Sequence, residues 1–104
     1  GMATIHNPDA VPQRYSLDQN YPNPFNPMTT INFALPEDTY VSLAVYDIMG
    51  RRVKTLVDGR INAGYHQVSW DGTDADSVHV AASIYIYVLK NNKITITKKM
   101  VMMK

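Results

Sequence analysis

The chain has 104 residues and a formal net charge of +1, with 18% charged residues, so one domain fills it and neither a basic nucleic-acid binder nor an acidic tail is indicated. It lacks cysteine, which excludes disulfides and thiolate metal sites but leaves export open. No apolar run approaches the roughly 18 residues of a membrane-spanning helix, and no apolar signal segment follows Gly1 and Met2.

Residues 1–14 are polar and aperiodic and read as a linker or expression remnant, with one domain expected over 15–104. A short strand is expected near Tyr15 to Leu17. The segment Tyr21-Pro22-Asn23-Pro24-Phe25-Asn26-Pro27 places three prolines in seven residues. Proline fixes φ, removes a donor and pushes its predecessor toward extended geometry, so this segment is neither helix nor central strand. A rigid loop pinned by Tyr21 and Phe25 is expected. Ile31, Phe33 and Leu35 then alternate with polar or small residues, the mark of a half-buried strand. Pro36-Glu37-Asp38 predicts a turn.

Val41, Leu43 and Val45 form the apolar face of the next strand, with Tyr40, Ser42, Ala44 and Tyr46 opposite. Met49-Gly50 reverses the chain, and Arg52 to Val57 gives another strand with Val53 inward. Asp58-Gly59 and Ala63-Gly64 read as loop punctuation. His66, Val68 and Trp70 share one face of a fifth strand. Ile84 to Leu89 is apolar on both faces, which suits a strand inside a sheet held between two layers. Asn91-Asn92 reads as a two-residue hairpin turn, because asparagine tolerates the left-handed region. A last strand starts with Ile94 and Ile96 and runs into Met100 and Met102. Seven short antiparallel strands in about 100 residues, with no helical stripe, predict an all-β, immunoglobulin-like sandwich. Ile31, Phe33, Val41, Leu43, Val45, Val68, Trp70 and Tyr85 are the expected core.

Catalytic and metal candidates all have simpler readings. His66, Ser69 and Asp71 have the residue types of a hydrolytic triad, but strand residues three apart point to opposite faces. His6 and His79 lie in a linker and a loop, with no partner at catalytic spacing. Neither G-x-S-x-G nor H-E-x-x-H occurs. The loop Asp71-Gly72-Thr73-Asp74-Ala75-Asp76 is rich in oxygen ligands, yet its spacing departs from an EF-hand and Ala82 stands where the bidentate glutamate would fall. Asx-type turns explain its aspartates. Trp70 with Tyr85 and Tyr87 has the composition of a sugar platform, but alternation puts Trp70 on the core face with Val68. Tyr40, Tyr46 and Tyr65 are the exposed aromatics, expected to pair across strands. No enzyme activity, cofactor or metal is expected.

Read in order, several segments carry a resemblance. Tyr21-Pro22-Asn23-Pro24-Phe25-Asn26-Pro27 precedes Thr29-Thr30-Ile31 and Leu35-Pro36. Val45-Tyr46-Asp47-Ile48-Met49-Gly50-Arg51 and Lys54-Thr55-Leu56-Val57 follow. Gly64-Tyr65-His66, Trp70-Asp71-Gly72-Thr73-Asp74 and Ile84-Tyr85 come next, before a closing Lys98-Lys99-Met100. The set, from Tyr15 to Lys104, resembles the C-terminal sorting domain of type IX (Por) secretion cargo, which is related to FlgD-like immunoglobulin domains. The family usually has glycine where Ser83 stands and Asn-Gly in the loop Asp74-Ala75-Asp76-Ser77, so turn geometry is expected to differ there.

The resemblance implies a module at the end of a larger exported protein. The type IX outer-membrane translocon and sortase machinery would recognise it, with the cargo domain upstream in the same chain and delivery to the cell surface or medium. The terminal stretch Lys93 to Lys104 has four lysines and no acid. Lysines guarding an edge strand explain this on physical grounds. The resemblance adds a sorting address carried by Lys98, Lys99, Met100 and Lys104. A monomer with no nucleic-acid partner and no membrane-spanning segment is expected. The alternative is a structural or carbohydrate-binding accessory module of a secreted enzyme.

Overall fold

Each run of alternating apolar residues forms a strand in the structure, a computed structural model that describes residues 11–104. The strands are β1 Ser16–Leu17, β2 Thr29–Leu35, β3 Thr39–Tyr46, β4 Arg52–Ile61, β5 Gly64–Trp70, β6 Ser83–Lys90 and β7 Thr95–Met102. They pair antiparallel in two sheets, β1-β2-β5 and β4-β3-β6-β7. The result is the expected all-β, immunoglobulin-like sandwich. Most of the expected linker, with His6, lies outside the described residues, and Pro12 is already buried.

The facing sides of the two sheets make the core. Ile31, Phe33 and Leu35 of β2 meet Val41, Leu43 and Val45 of β3, Tyr85, Tyr87 and Leu89 of β6, and Met100 and Met102 of β7. Trp70 closes one end of this cluster and is 1% exposed. Of the expected core only Val68 is incompletely covered, because its strand β5 is an edge with a neighbour on one side. Tyr21 corrects the reading of the proline loop: it is 80% exposed, and Phe25, at 2%, is the anchor.

Three further differences have clear causes. β4 runs on to Ile61, through the Asp58-Gly59 pair read as a turn, because Tyr40 and Val41 of β3 continue the ladder opposite Arg60 and Gly59. Its register skips Leu56 and Val53. Such bulges change the phase of alternation, so Val53, Leu56, Val57 and Ile61 all reach the core margin. In β6, only Tyr85, Tyr87 and Leu89 are fully buried, because no layer covers the other face. The β6–β7 turn is built by the Asn91 side chain, not by left-handed asparagines. Asn91 Oδ1 accepts the Lys93 and Ile94 amides at 2.8 and 3.0 Å, and Ser77 is the one non-glycine with positive φ among the described residues.

Candidate recognition site

β7 is an edge strand, and its residues divide between two faces. Lys98 lies opposite Tyr87 on the core side and is half-buried, so its stem lines the rim of the core. Lys99 lies opposite Ile86 on the outer face and is exposed. Met100 is fully buried. Lys104 is exposed beyond the strand. The proposed address therefore does not form one basic patch. A partner meeting the folded surface touches Lys98, Lys99 and Lys104 from different directions, and it does not reach Met100.

The proline segment closes the free edge of this strand. The Phe25 amide donates to Val101 O at 3.0 Å, and the Met103 amide donates to Phe25 O at 2.9 Å. The Val101 amide donates to Asn23 Oδ1 at 2.9 Å, and Gln19 Nε2 donates to Lys99 O at 2.8 Å. An open edge, ready to add to a partner sheet, is thus left only around Thr95 and Thr97, which are in phase with Lys99 and Val101. Sequence reasoning missed Gln19 and Asn23. The signal available was proline itself: Pro22, Pro24 and Pro27 have no N–H, so the remaining donors and side chains of this segment must supply its contacts.

Phe25 anchors the strap in an aromatic stack. Its ring centroid lies 5.7 Å from that of Trp70, whose own ring meets Tyr85 edge-on at 5.3 Å. Trp70 Nε1 donates to Thr73 O at 2.9 Å. Gly72, with φ of +77°, brings this loop against the C-terminal strand, and a Cβ there would lie 2.7 Å from Met102 Cε and 3.2 Å from Pro27 O. Upstream, the buried Asn20 side chain donates to Thr29 Oγ1 at 2.9 Å and Pro22 O at 3.1 Å. The Asn20 backbone amide donates to the Tyr87 hydroxyl at 2.8 Å, which in turn donates to Asp18 O at 2.7 Å. Burial pushes the Tyr87 hydroxyl up to about 12. Among the described residues, no buried side-chain polar atom lacks a partner.

The other candidates are arranged for structure. His66 stacks on Phe33 with centroids 5.4 Å apart, and its Nε2 lies 2.7 Å from Asn62 O. Ser69 is exposed on the opposite face, 3.5 Å from the Thr30 hydroxyl. His79 is exposed in the loop, bridged to Thr73. Asp71 Oδ1 accepts the Thr73 hydroxyl at 2.5 Å and its amide at 3.1 Å. These bonds, the hydroxyl foremost, hold the Asp71 carboxyl below its ordinary value. Asp74 Oδ1 accepts the Asp76 and Val78 amides at 2.9 and 3.0 Å. Both aspartates thus form the Asx turns read from the sequence.

The fold is similar to that of several solved structures. Latent PorU from Porphyromonas gingivalis superposes with a TM-score of 0.65 at 22% identity, over 86% of this chain and 9% of that one. PorZ, an essential surface component of the type IX secretion system of the same bacterium, gives 0.57 at 19%, over 86% of this chain and 11% of that one. FlgD from Xanthomonas campestris, a protein of flagellar hook capping, gives 0.56 at 23%, over 88% and 63%. The chain thus spans a small part of PorU and PorZ. Comparison with curated proteins returns no sequence match. Residues 25–93, well over half of the chain and running from the strap anchor Phe25 through the β6–β7 turn, match the FlgD Ig-like domain, and the chain belongs to that family.

Proposed function

We propose that this domain is a non-catalytic sorting module that directs an exported cargo through the type IX secretion system to the cell surface or medium. The observation that carries the reading is spatial. Segments far apart in the sequence meet around the C-terminal strand: Phe25 bonds to Val101 and Met103, the Trp70 ring packs tilted against Phe25 and edge-on against Tyr85, and Gly72 sits against Met102. These are blocks on which the resemblance to sorting domains rests. A translocon and sortase reading the folded end of the cargo would meet Lys98 and Lys99 on a strand held in fixed register, and Lys104 just beyond it. The fold shared with PorZ, itself a type IX surface component, supports the same reading.

No observation favours the accessory carbohydrate-binding module. A sugar platform needs exposed aromatic faces in one plane, and Trp70 and Tyr85 are 1% and 4% exposed. Tyr40 and Tyr65 are exposed, but they belong to different sheets.

The test is a periplasmically targeted reporter fused ahead of the chain, expressed in a bacterium with type IX secretion. Delivery to the surface or medium is expected to require the domain. It should fall when Lys98→Glu and Lys99→Glu are combined, with the melting temperature unchanged. Retention of the intact fusion in the periplasm, while native cargo is exported, would overturn the assignment.

A further inference from the structure

β6 carries a pattern that the two-layer fold leaves unused. Ile84, Ile86 and Val88 are as apolar as Tyr85, Tyr87 and Leu89, yet they point away from the core. The register fixes their neighbours on the outer face. Val88 lies opposite Ala44 and Ile86 opposite Tyr46, while Ile84 lies opposite Val101. An apolar strip therefore runs along the middle of the four-stranded sheet, with Ile84 42% exposed.

Cations border this strip. Arg52 flanks Tyr46 on the β4 side, and Lys99 flanks Ile86 on the β7 side. Arg60 and Lys90 stand at the far end, beside Tyr40 and Ser42. Among the described residues the strands of this face carry one carboxylate, Asp58, and the Tyr40 hydroxyl occupies it. Glu37 and Asp38 line the far end beside Arg60 and Lys90, where Glu37 pairs with Lys93 and Asp38 accepts the Ala63 amide. Among the described residues the ion pairs are Arg51–Asp47 and Lys93–Glu37, so these four cations are unpaired. With Lys93, Glu37 and Asp38 included, five cations against three carboxylates give this face +2, whereas the whole chain is +1, which leaves −1 for everything else.

An apolar centre rimmed by unpaired charge of one sign is the anatomy of a protein interface. We propose that the outer face of the four-stranded sheet docks a protein partner that presents an apolar strip bordered by carboxylates. Charge complementarity selects this occupant. A second copy of the chain, placed face to face, would set cations against cations. The strip is also flat and half-buried, which gives a bilayer little to insert around. The inference is independent of the sorting assignment, with which it shares only Lys99.

The probe is a short soluble peptide with a central run of valines flanked by glutamates at both ends, with the lysine-flanked peptide as control, titrated into the isotopically labelled chain. Amide shifts are expected on Ile86, Val88, Thr97 and Lys99 with the glutamate peptide. Arg52→Glu with Lys99→Glu should weaken binding roughly tenfold, the worth of two interface ion pairs. Ile84→Glu should weaken it while leaving the melting curve cooperative. Equal binding of both peptides, or shifts on β2 and β5 instead, would overturn the proposal. So would dimerisation through this face in sedimentation, or preferential binding to phosphatidylglycerol vesicles that Ile84→Glu abolishes.

Discussion

Ser77 adopts a φ of +63°, in the left-handed region where a Cβ crowds the following carbonyl. It sits in the loop where the resemblance to sorting domains implies Asn-Gly, and its backbone conformation is one that favours glycine. Ser83, the other departure, lies in regular strand and carries no such strain. Ser77→Gly should stabilise the domain by about 1 kcal/mol. For a domain of this size the melting temperature would rise by roughly 4–8 °C. A lower melting temperature would show that loss of chain entropy outweighs the relieved strain. Tyr87 gives a second residue-scale prediction. Its folded pKa, about 12, lies above the ordinary value near 10. The folded chain keeps this proton longer than the unfolded chain does. Stability from Tyr87 is therefore full below about pH 10 and is lost as pH rises through about 10 to 12. Burial moves Tyr85 in the same direction, and the bond to Asp58 does so for Tyr40. Tyr87→Phe should start less stable by about 1–3 kcal/mol, because the buried Asn20 amide loses its acceptor. It should also decline less steeply in alkali. Parallel alkaline melting curves for the two proteins would count against Tyr87 as a source of that decline.

At the scale of elements, period-2 alternation made β2, β3 and β5 legible, since one face of each strand meets the opposite sheet, whereas β6 was legible as a continuous apolar run and its one-sided burial was not. β4 was legible only in its first half. Bulges at Val53 and Leu56 shift its phase, and Asp58-Gly59 has turn composition without making a turn. The contact between the strap and β7 was not legible at all, because it joins residues such as Asn23 and Val101, 78 positions apart, through one side-chain oxygen. Proline content revealed a rigid loop but not the strand it lies against. Nor did any local pattern divide Lys98 from Met100 in exposure, since both lie on the core side of one edge strand and position along that strand decides between them. Met100 lies beside the residues that the proline segment covers. The strap makes a prediction that hydrogen exchange can read. The Val101 and Met103 amides donate into it, whereas among the described residues no strand lies beside the outward Thr97 amide. Val101 and Met103 should exchange slowly and Thr97 fast. Asn23→Ala should release Val101 selectively, at a cost of about 0.5–1.5 kcal/mol. Fast exchange at Val101 in the unaltered protein would mean that the edge is open.

The whole molecule places its C-terminal strand in two roles that a truncation cannot separate. Met100 is fully buried, Met102 is 8% exposed, and Phe25 spends both backbone groups on Val101 and Met103. Removing Lys98–Lys104 would strip β6 of most of its partner on that side, open the core beneath Tyr85 and Tyr87, and unseat the strap with its aromatic stack. Truncating even one buried methionine to alanine costs about 2–5 kcal/mol. Loss of two of them, with the ladder, approaches the whole stability of a small domain, about 5–15 kcal/mol. The shortened chain should therefore show no cooperative unfolding transition and an exposed Trp70 by fluorescence. Lys98→Glu with Lys99→Glu changes charge at one half-buried and one exposed position and leaves every buried core residue in place, shortening only the Lys98 stem at the core rim. Its melting temperature should stay within a few degrees of the parent's, because substitutions away from core, caps and networks are usually worth about ±0.5 kcal/mol each. A truncated chain that still melts cooperatively, with Trp70 shielded, would show that β7 is an appendage to the core. Export lost on truncation would then report on the address alone, whereas the packing described above makes it report on folding first.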